Sequence, residues 1–236
     1  MTRSFAPLFC ALALCAASAA QAAPVTISTS LNQLQSGVDN QAWWRVNVGN
    51  NNPVNDNYIT GSGDTYRSFF SFSLAGVTGV VTSATVEVRR YVQDQALTLG
   101  LFDVGTPAST LITTRSNVVN AAVFADLGSG DSYGSYVVQT GASADVLTFA
   151  LNANALADLN AAIGSAYFSI GAAVQGAGTI FSSSSQEPGN TGGAFNSVQR
   201  LVHNVEAATA VPEPTTLALS GLALIGLALS SRRARA

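Results

Sequence analysis

The chain has 236 residues, 47% of them hydrophobic and only 10% charged, with ten arginines, no lysine, two cysteines, one histidine and a net charge of −3. So few basic groups exclude broad nonspecific binding to nucleic acid or anionic lipid, which depends on basic patches. Two cysteines also exclude a disulfide-dense scaffold.

In chain order, the first element is a leader. Arg3 supplies a positive start, "FAPLFCALALCAASAA" an apolar core, and Ala20-Gln21-Ala22 small residues at the two positions a signal peptidase reads. Cleavage after Ala22, leaving Ala23-Pro24, defines a signal peptide over 1–22. Both cysteines, Cys10 and Cys15, lie within it, so the exported body carries no thiol.

The body over 23–206 reads as short strands punctuated by Gly, Asn and Ser. "VTIST" (25–29) and "WWRVNV" (43–48) come first, followed by the turn-dense "GNNNPVNDNYITGSGD". Next come "RSFFSFSL" (67–74) and "ATVEVRRYV" (84–92), in which Ala84, Val86 and Val88 alternate against Thr85, Glu87 and Arg89. "LTLGLF" (97–102), "YGSYVVQT" (133–140), "DVLTFAL" (145–151), "AYFSIGAAV" (166–174) and "RLVHNVE" (200–206) continue the series. One short helix interrupts it: Asn152 is placed to cap it, Leu156, Leu159 and Ile163 share a face, and Gly164 ends it. The expectation is an all-β domain, an antiparallel β-sandwich of jelly-roll type with one short helix.

After a short linker at 207–211 comes the stretch 212–236, "PEPTTLALSGLALIGLALSSRRARA". The 17 residues 215–231 predict a helix of about 25 Å, slightly short of the ~30 Å hydrocarbon core of a bilayer. Arg232, Arg233 and Arg235 follow at once, and positive flanks stay on the cytoplasmic side, as Arg3 does at the other end. Everything between the two apolar runs is therefore expected outside the inner membrane. Removing the termini leaves six arginines against twelve acids, a body near −6.

Candidate chemistry is sparse. Trp43 and Trp44 are neighbours in a strand and must face opposite ways; either one is exposed as a platform for a pyranose ring, or both are packed. Tyr58, Tyr66 and Tyr133 are loop-side candidates for the same role. Asp56, Asn57 and Asp64 offer hard oxygen ligands for a structural Ca²⁺, against the plainer reading of turn formers in a solvated loop. His203, expected at an edge or surface, has no partner pattern of a nucleophilic triad. No pair of acids stands in a spacing that marks a glycosidase, so no catalytic residue is assigned.

Two resemblances add to this. Pro212-Glu213-Pro214, the short apolar run 215–231 and the terminal arginines together resemble the PEP-CTERM sorting signal. That resemblance implies a Gram-negative bacterium that makes exopolysaccharide. It also implies a transient inner-membrane intermediate, and processing by an exosortase near Pro-Glu-Pro. Delivery to the cell surface or biofilm matrix then follows. Residues 57–91 are similar to the opening of DNRLRE-type and disaggregatase-related β-sandwiches, which look like carbohydrate-binding modules. Arg67, Phe70, Phe72, Leu74, Val81, Ser83, Ala84, Val86 and Val88 stand in that pattern, and Phe181-Ser182-Ser183 with Leu201-Val202 in its closing part. The expected function is therefore an exported, non-catalytic structural or weakly carbohydrate-binding protein. The alternatives are a secreted polysaccharide hydrolase using paired carboxylates and a permanently anchored periplasmic domain.

Overall fold

The computed structural model describes residues 23–49, 57–90, 92–113, 119–142, 145–182 and 199–206. The leader 1–22, Asp56, the linker 207–211, the apolar run 215–231 and the whole sorting tail lie outside the described residues. Among the described residues no helix is long and apolar enough to cross a membrane.

The elements, in order, are β1 (Val25–Ser28), β2 (Gln41–Arg45), β3 (Tyr58–Gly61), β4 (Tyr66–Ser73), β5 (Val81–Arg90), β6 (Val92–Gln93) and β7 (Leu97–Asp103). There follow α1 (Ala108–Thr113), α2 (Ala121–Asp126), β8 (Ser132–Val138), β9 (Asp145–Ala150), α3 (Ala153–Ala162), β10 (Tyr167–Gln175), β11 (Thr179–Ser182) and β12 (Arg200–Val205). The smaller sheet runs β1-β12-β5-β9; the larger runs β6-β11-β3-β4-β10-β7-β8, with β2 also paired to β4. The strand pairings are antiparallel.

The two sheets pack as a β-sandwich. Period-two alternation decides which side chains fill it: Val86 and Val88 of β5 and Leu201 of β12 meet Phe70 and Phe72 of β4, Leu99 and Leu101 of β7 and Ile170 of β10. In β5 the residues between, Thr85, Glu87 and Arg89, are only partly buried on the other face, as the alternation predicts.

β4 departs from simple alternation because both its faces are covered. Its even-numbered phenylalanines face the smaller sheet, while Phe69 joins a second core with Ala42, Trp44, Leu111, Ile112, Val123, Phe124 and Leu127. Strands buried on both faces read as near-continuous apolar runs, which explains "SFFSFS". That second core lies under α1 and α2, so the expectation of a single helix is corrected to three among the described residues. Each of the two extra helices has six residues, too short to show a helical period.

α3 is the helix expected. Asn152 Oδ1 accepts the Ala155 N–H at 3.1 Å, Leu159 is buried, and Leu156 and Ile163 pack partly buried against the main core. Ile163 is the C-cap, and Gly164 follows it at φ +94°, a conformation that suits a residue without Cβ. All described residues belong to one compact unit, Ala22–Glu206.

Candidate functional site

The aromatic residues expected to offer a sugar platform are consumed by packing. Trp44 is 0% exposed within the core under α1 and α2, and Trp43 is 8% exposed with its ring edge-on to Tyr66, centroids 5.4 Å apart. They do face opposite ways, but both faces of β2 are covered. Tyr58, read as loop-side, is the first residue of β3 and fully buried; its hydroxyl donates to the Arg89 carbonyl of the opposite sheet. Tyr133 is likewise buried, in β8. Tyr66 remains partly buried, with the Arg45 guanidinium 5.5 Å from its ring centre.

Asp64 is committed elsewhere as well. Its carboxylate pairs through both oxygens with Arg67, at 2.9 Å each, and the same guanidinium donates to the carbonyls of Phe124 and Ala125 at the end of α2. Its proposed partner Asp56 lies outside the described residues. Among the described residues no group of three or more His, Cys, Asp or Glu is arranged to hold a metal ion.

His203 is corrected from an edge or surface position to the interior. β12 is flanked by β1 on one side and β5 on the other, and His203 shares the inward face with Leu201; it is 1% exposed. Among the described residues neither ring nitrogen has a hydrogen-bond partner. Burial pushes the imidazole below the usual histidine range.

One concave site does emerge, and the sequence reading had missed it. A cleft of about 270 Å³ is lined by Asp103, Asp131, Tyr133, Asp158, Tyr167 and Phe168 among others. Asp103 closes β7, Asp131 precedes β8, Asp158 comes from α3, and Tyr167 and Phe168 open β10. The Tyr133 hydroxyl donates to Asp158 Oδ2 at 3.0 Å, and its ring stacks on Phe168 at 5.8 Å. Burial and the neighbouring carboxylates Asp131, Asp126 and Asp158 together raise the Asp103 carboxyl above its usual range. One Asp103 oxygen, Oδ1, is buried without a partner among the described residues. Burial, then the bond to Asp158, also pushes the Tyr133 phenol far upward, so it stays protonated as a donor. Carboxylates gathered from β7, α3 and the turn before β8 can accept hydrogen bonds from hydroxyl or ammonium groups. Residues 103, 131 and 158 share no local pattern, so only the fold brings them together.

Beyond the described body, residues 210–233 match the family model of the PEP-CTERM protein-sorting motif. The tail is a PEP-CTERM sorting motif. Pro212, Glu213, Pro214, Arg232 and Arg233 fall inside the match, and Arg235 lies just past its end. The PEP-CTERM motif indicates a protein sorted by the exosortase system. It implies processing by exosortase, export, and cell-surface sorting in a Gram-negative bacterium. No curated protein matches the chain.

Proposed function

We propose that the chain is an exported β-sandwich, delivered through its PEP-CTERM tail to the cell surface or the exopolysaccharide matrix of a biofilm. There it is a non-catalytic structural or weakly carbohydrate-binding component. The match of residues 210–233 carries the reading. In it, residues 1–22 are a signal peptide cut between Ala22 and Ala23. The run 215–231 holds the precursor in the inner membrane until exosortase cuts near Pro212-Glu213-Pro214. The body suits such an exterior: it is thiol-free, and its core rests on burial and strand pairing alone.

Sugar binding is supported by two features. The strands β4 and β5 carry Arg67, Phe70, Phe72, Val81, Ser83, Ala84, Val86 and Val88, residues of the resemblance to jelly-roll modules that look carbohydrate-binding. The acid-lined cleft offers acceptors for sugar hydroxyls. Since Trp43, Trp44 and Tyr58 are buried, the cleft rather than a tryptophan platform is the place for such a ligand.

Mass spectrometry of both ends of the mature protein, with fractionation of the producing cells, tests the sorting. The expected product starts at Ala23, ends near Pro214 and sits at the surface or in the matrix. An intact C-terminus kept in the inner membrane would overturn it and favour the permanently anchored periplasmic domain.

A second reading is favoured by one observation: Asp103, raised by burial, shares its cleft with Asp131 and Asp158. A carboxyl raised by burial and set beside other carboxyl groups is the environment of a general acid in a polysaccharide hydrolase. Glycan degradation by the wild type that disappears in Asp103→Asn supports it; no degradation of any matrix glycan removes it. A structural Ca²⁺ near Asp56 and Asp64 would have to compete with Arg67 for the Asp64 carboxylate. Identical melting in calcium and in chelator removes that ion.

A further inference from the structure

The two terminal strands of the folded unit, β1 and β12, pair with each other, and the chain's single histidine sits in that pair. Val25 is opposite His203, which is opposite Ala84 of β5. Among the described residues β1 is an edge strand paired with β12 alone. Its far end is fastened: Thr29 N–H donates to the Gln199 carbonyl at 3.1 Å, and the Thr29 hydroxyl donates to Gln41 Oε1 at 2.8 Å. Among the described residues its near end has no such fastening, and Val25 is already 44% exposed. The fully buried, unpartnered ring therefore lies behind the least secured end of the edge strand.

We propose that His203 is an acid-sensitive latch: when its ring takes up a proton, the Val25 end of β1 peels from β12 and lets the imidazolium reach water, while the rest of the sandwich stays closed. A neutral imidazole among apolar neighbours costs little beyond its lost water contacts, whereas an imidazolium there is an uncompensated buried charge. Among the described residues no neighbouring element supplies a counter-charge. β1 has no titratable residue. Glu87 and Arg89 of β5 and Arg200 of β12 lie on the outer face, where Glu87 pairs with Arg200 at 3.8 Å. Arg90 shares the inward face of β5 but is bound to Asp145. On α3, which packs on β5, Asp158 is bound to Tyr133, and on β4 Arg67 faces α2. Burial alone displaces the ring's titration, with no charged neighbour contributing.

The sign follows. The folded ring takes its proton at lower pH than the unfolded one. The latch is therefore fully closed above the ordinary histidine value and weakens as pH falls below it. Hydrogen exchange of the full chain, read on peptides over 23–30 and over β7 and β10, tests this at about pH 7.5 and about pH 5, either side of the ordinary value of about 6.5. After correction for intrinsic exchange, wild-type β1 loses protection by up to about tenfold per pH unit below that value, while β7 and β10 keep theirs. His203→Met and His203→Gln hold β1 protection level across the same range. Protection that does not depend on pH, an equal loss in both variants, or a loss spread evenly over both sheets would each overturn the latch. Should neither variant fold, the imidazole proton resonances of the wild type decide: titration at the ordinary value without change at Val25 to Ser28 overturns it, and a depressed titration coupled to those residues upholds it.

Discussion

Arg67 grips Asp64 through both carboxylate oxygens, and with the same guanidinium holds the end of α2. Nε and Nη2 reach Asp64 at 2.9 Å, Nη1 reaches the Phe124 and Ala125 carbonyls at 3.0 Å, and the group lies 4.5 Å from the Phe124 ring centre. A cation at a helix C-terminus meets carbonyls without intrahelical partners and the negative end of the helix dipole. The bond to Asp64, which is 53% exposed, is the weaker part, since solvent screens it.

Removing the two partners should therefore cost unequal amounts. Arg67→Ala is expected to lose about 2 kcal/mol, because charged hydrogen bonds to the helix-end carbonyls of Phe124 and Ala125 go together with the packing of the guanidinium on the Phe124 ring. Asp64→Asn is expected to lose less than about 1 kcal/mol, since asparagine also tolerates the positive φ of 60° there. Urea unfolding of the two variants measures both; equal losses would show that the ion pair, and not the helix end, dominates.

Asp103→Asn should stabilise the protein at neutral pH. Because the folded carboxyl titrates above its ordinary value, the penalty is absent in acid and grows as pH rises through the raised value. The amide cannot ionise, so the gain over wild type should be largest near neutrality and vanish below the ordinary carboxyl range. Melting temperatures across that range check the sign.

Trp44→Ala is expected to cost about 3–5 kcal/mol, the range for emptying a buried aromatic site. Trp43→Ala should cost less, since part of its ring contact is with partly buried Tyr66 at the end of β4. Neither should lower glycan affinity beyond its effect on folding. Binding per folded molecule, measured beside chemical denaturation, separates the two effects.

Gly61→Ala, at the end of β3, should be strongly damaging. Gly61 has φ +110°, and a Cβ there would lie 2.1 Å from the Gly178 carbonyl oxygen, where β3 meets the turn before β11. The backbone conformation alone costs about 1–3 kcal/mol for a residue with a side chain. Displacing the β11 backbone adds to that. Thermal melting of Gly61→Ala beside Gly63→Ala, where no atom stands within 4 Å of an added Cβ, isolates the contact from the conformation.

Much of the sheet was legible because the strands alternate. The runs in β5, β7, β9, β10 and β12 coincide with strands, and the inward set Ala84, Val86 and Val88 is the buried set. β3 was hidden inside a turn-dense loop: four residues, Tyr58–Gly61, bounded by Asn and Gly, carry too short a pattern. α1 and α2 were hidden for the same reason, and with them the layer that buries Trp44. For Trp43 and Trp44 the alternation was legible, but what covers each face was not. His203 failed similarly, because the neighbours of β12, the strands β1 and β5, both come from far earlier in the chain.

Taken alone, the order of residues settled what short-range rules can settle. Proline, glutamate, an apolar run and arginines are contiguous in the sorting tail, and strand alternation has a period of two, so both are visible in a window of a few residues. Tertiary structure decided what depends on partners far along the chain. It chose which faces are covered, drew Asp103, Asp131 and Asp158 into one cleft, and set His203 behind the edge strand β1. The reason is that burial and carboxyl repulsion act through space between segments, and no local pattern encodes which segments will meet.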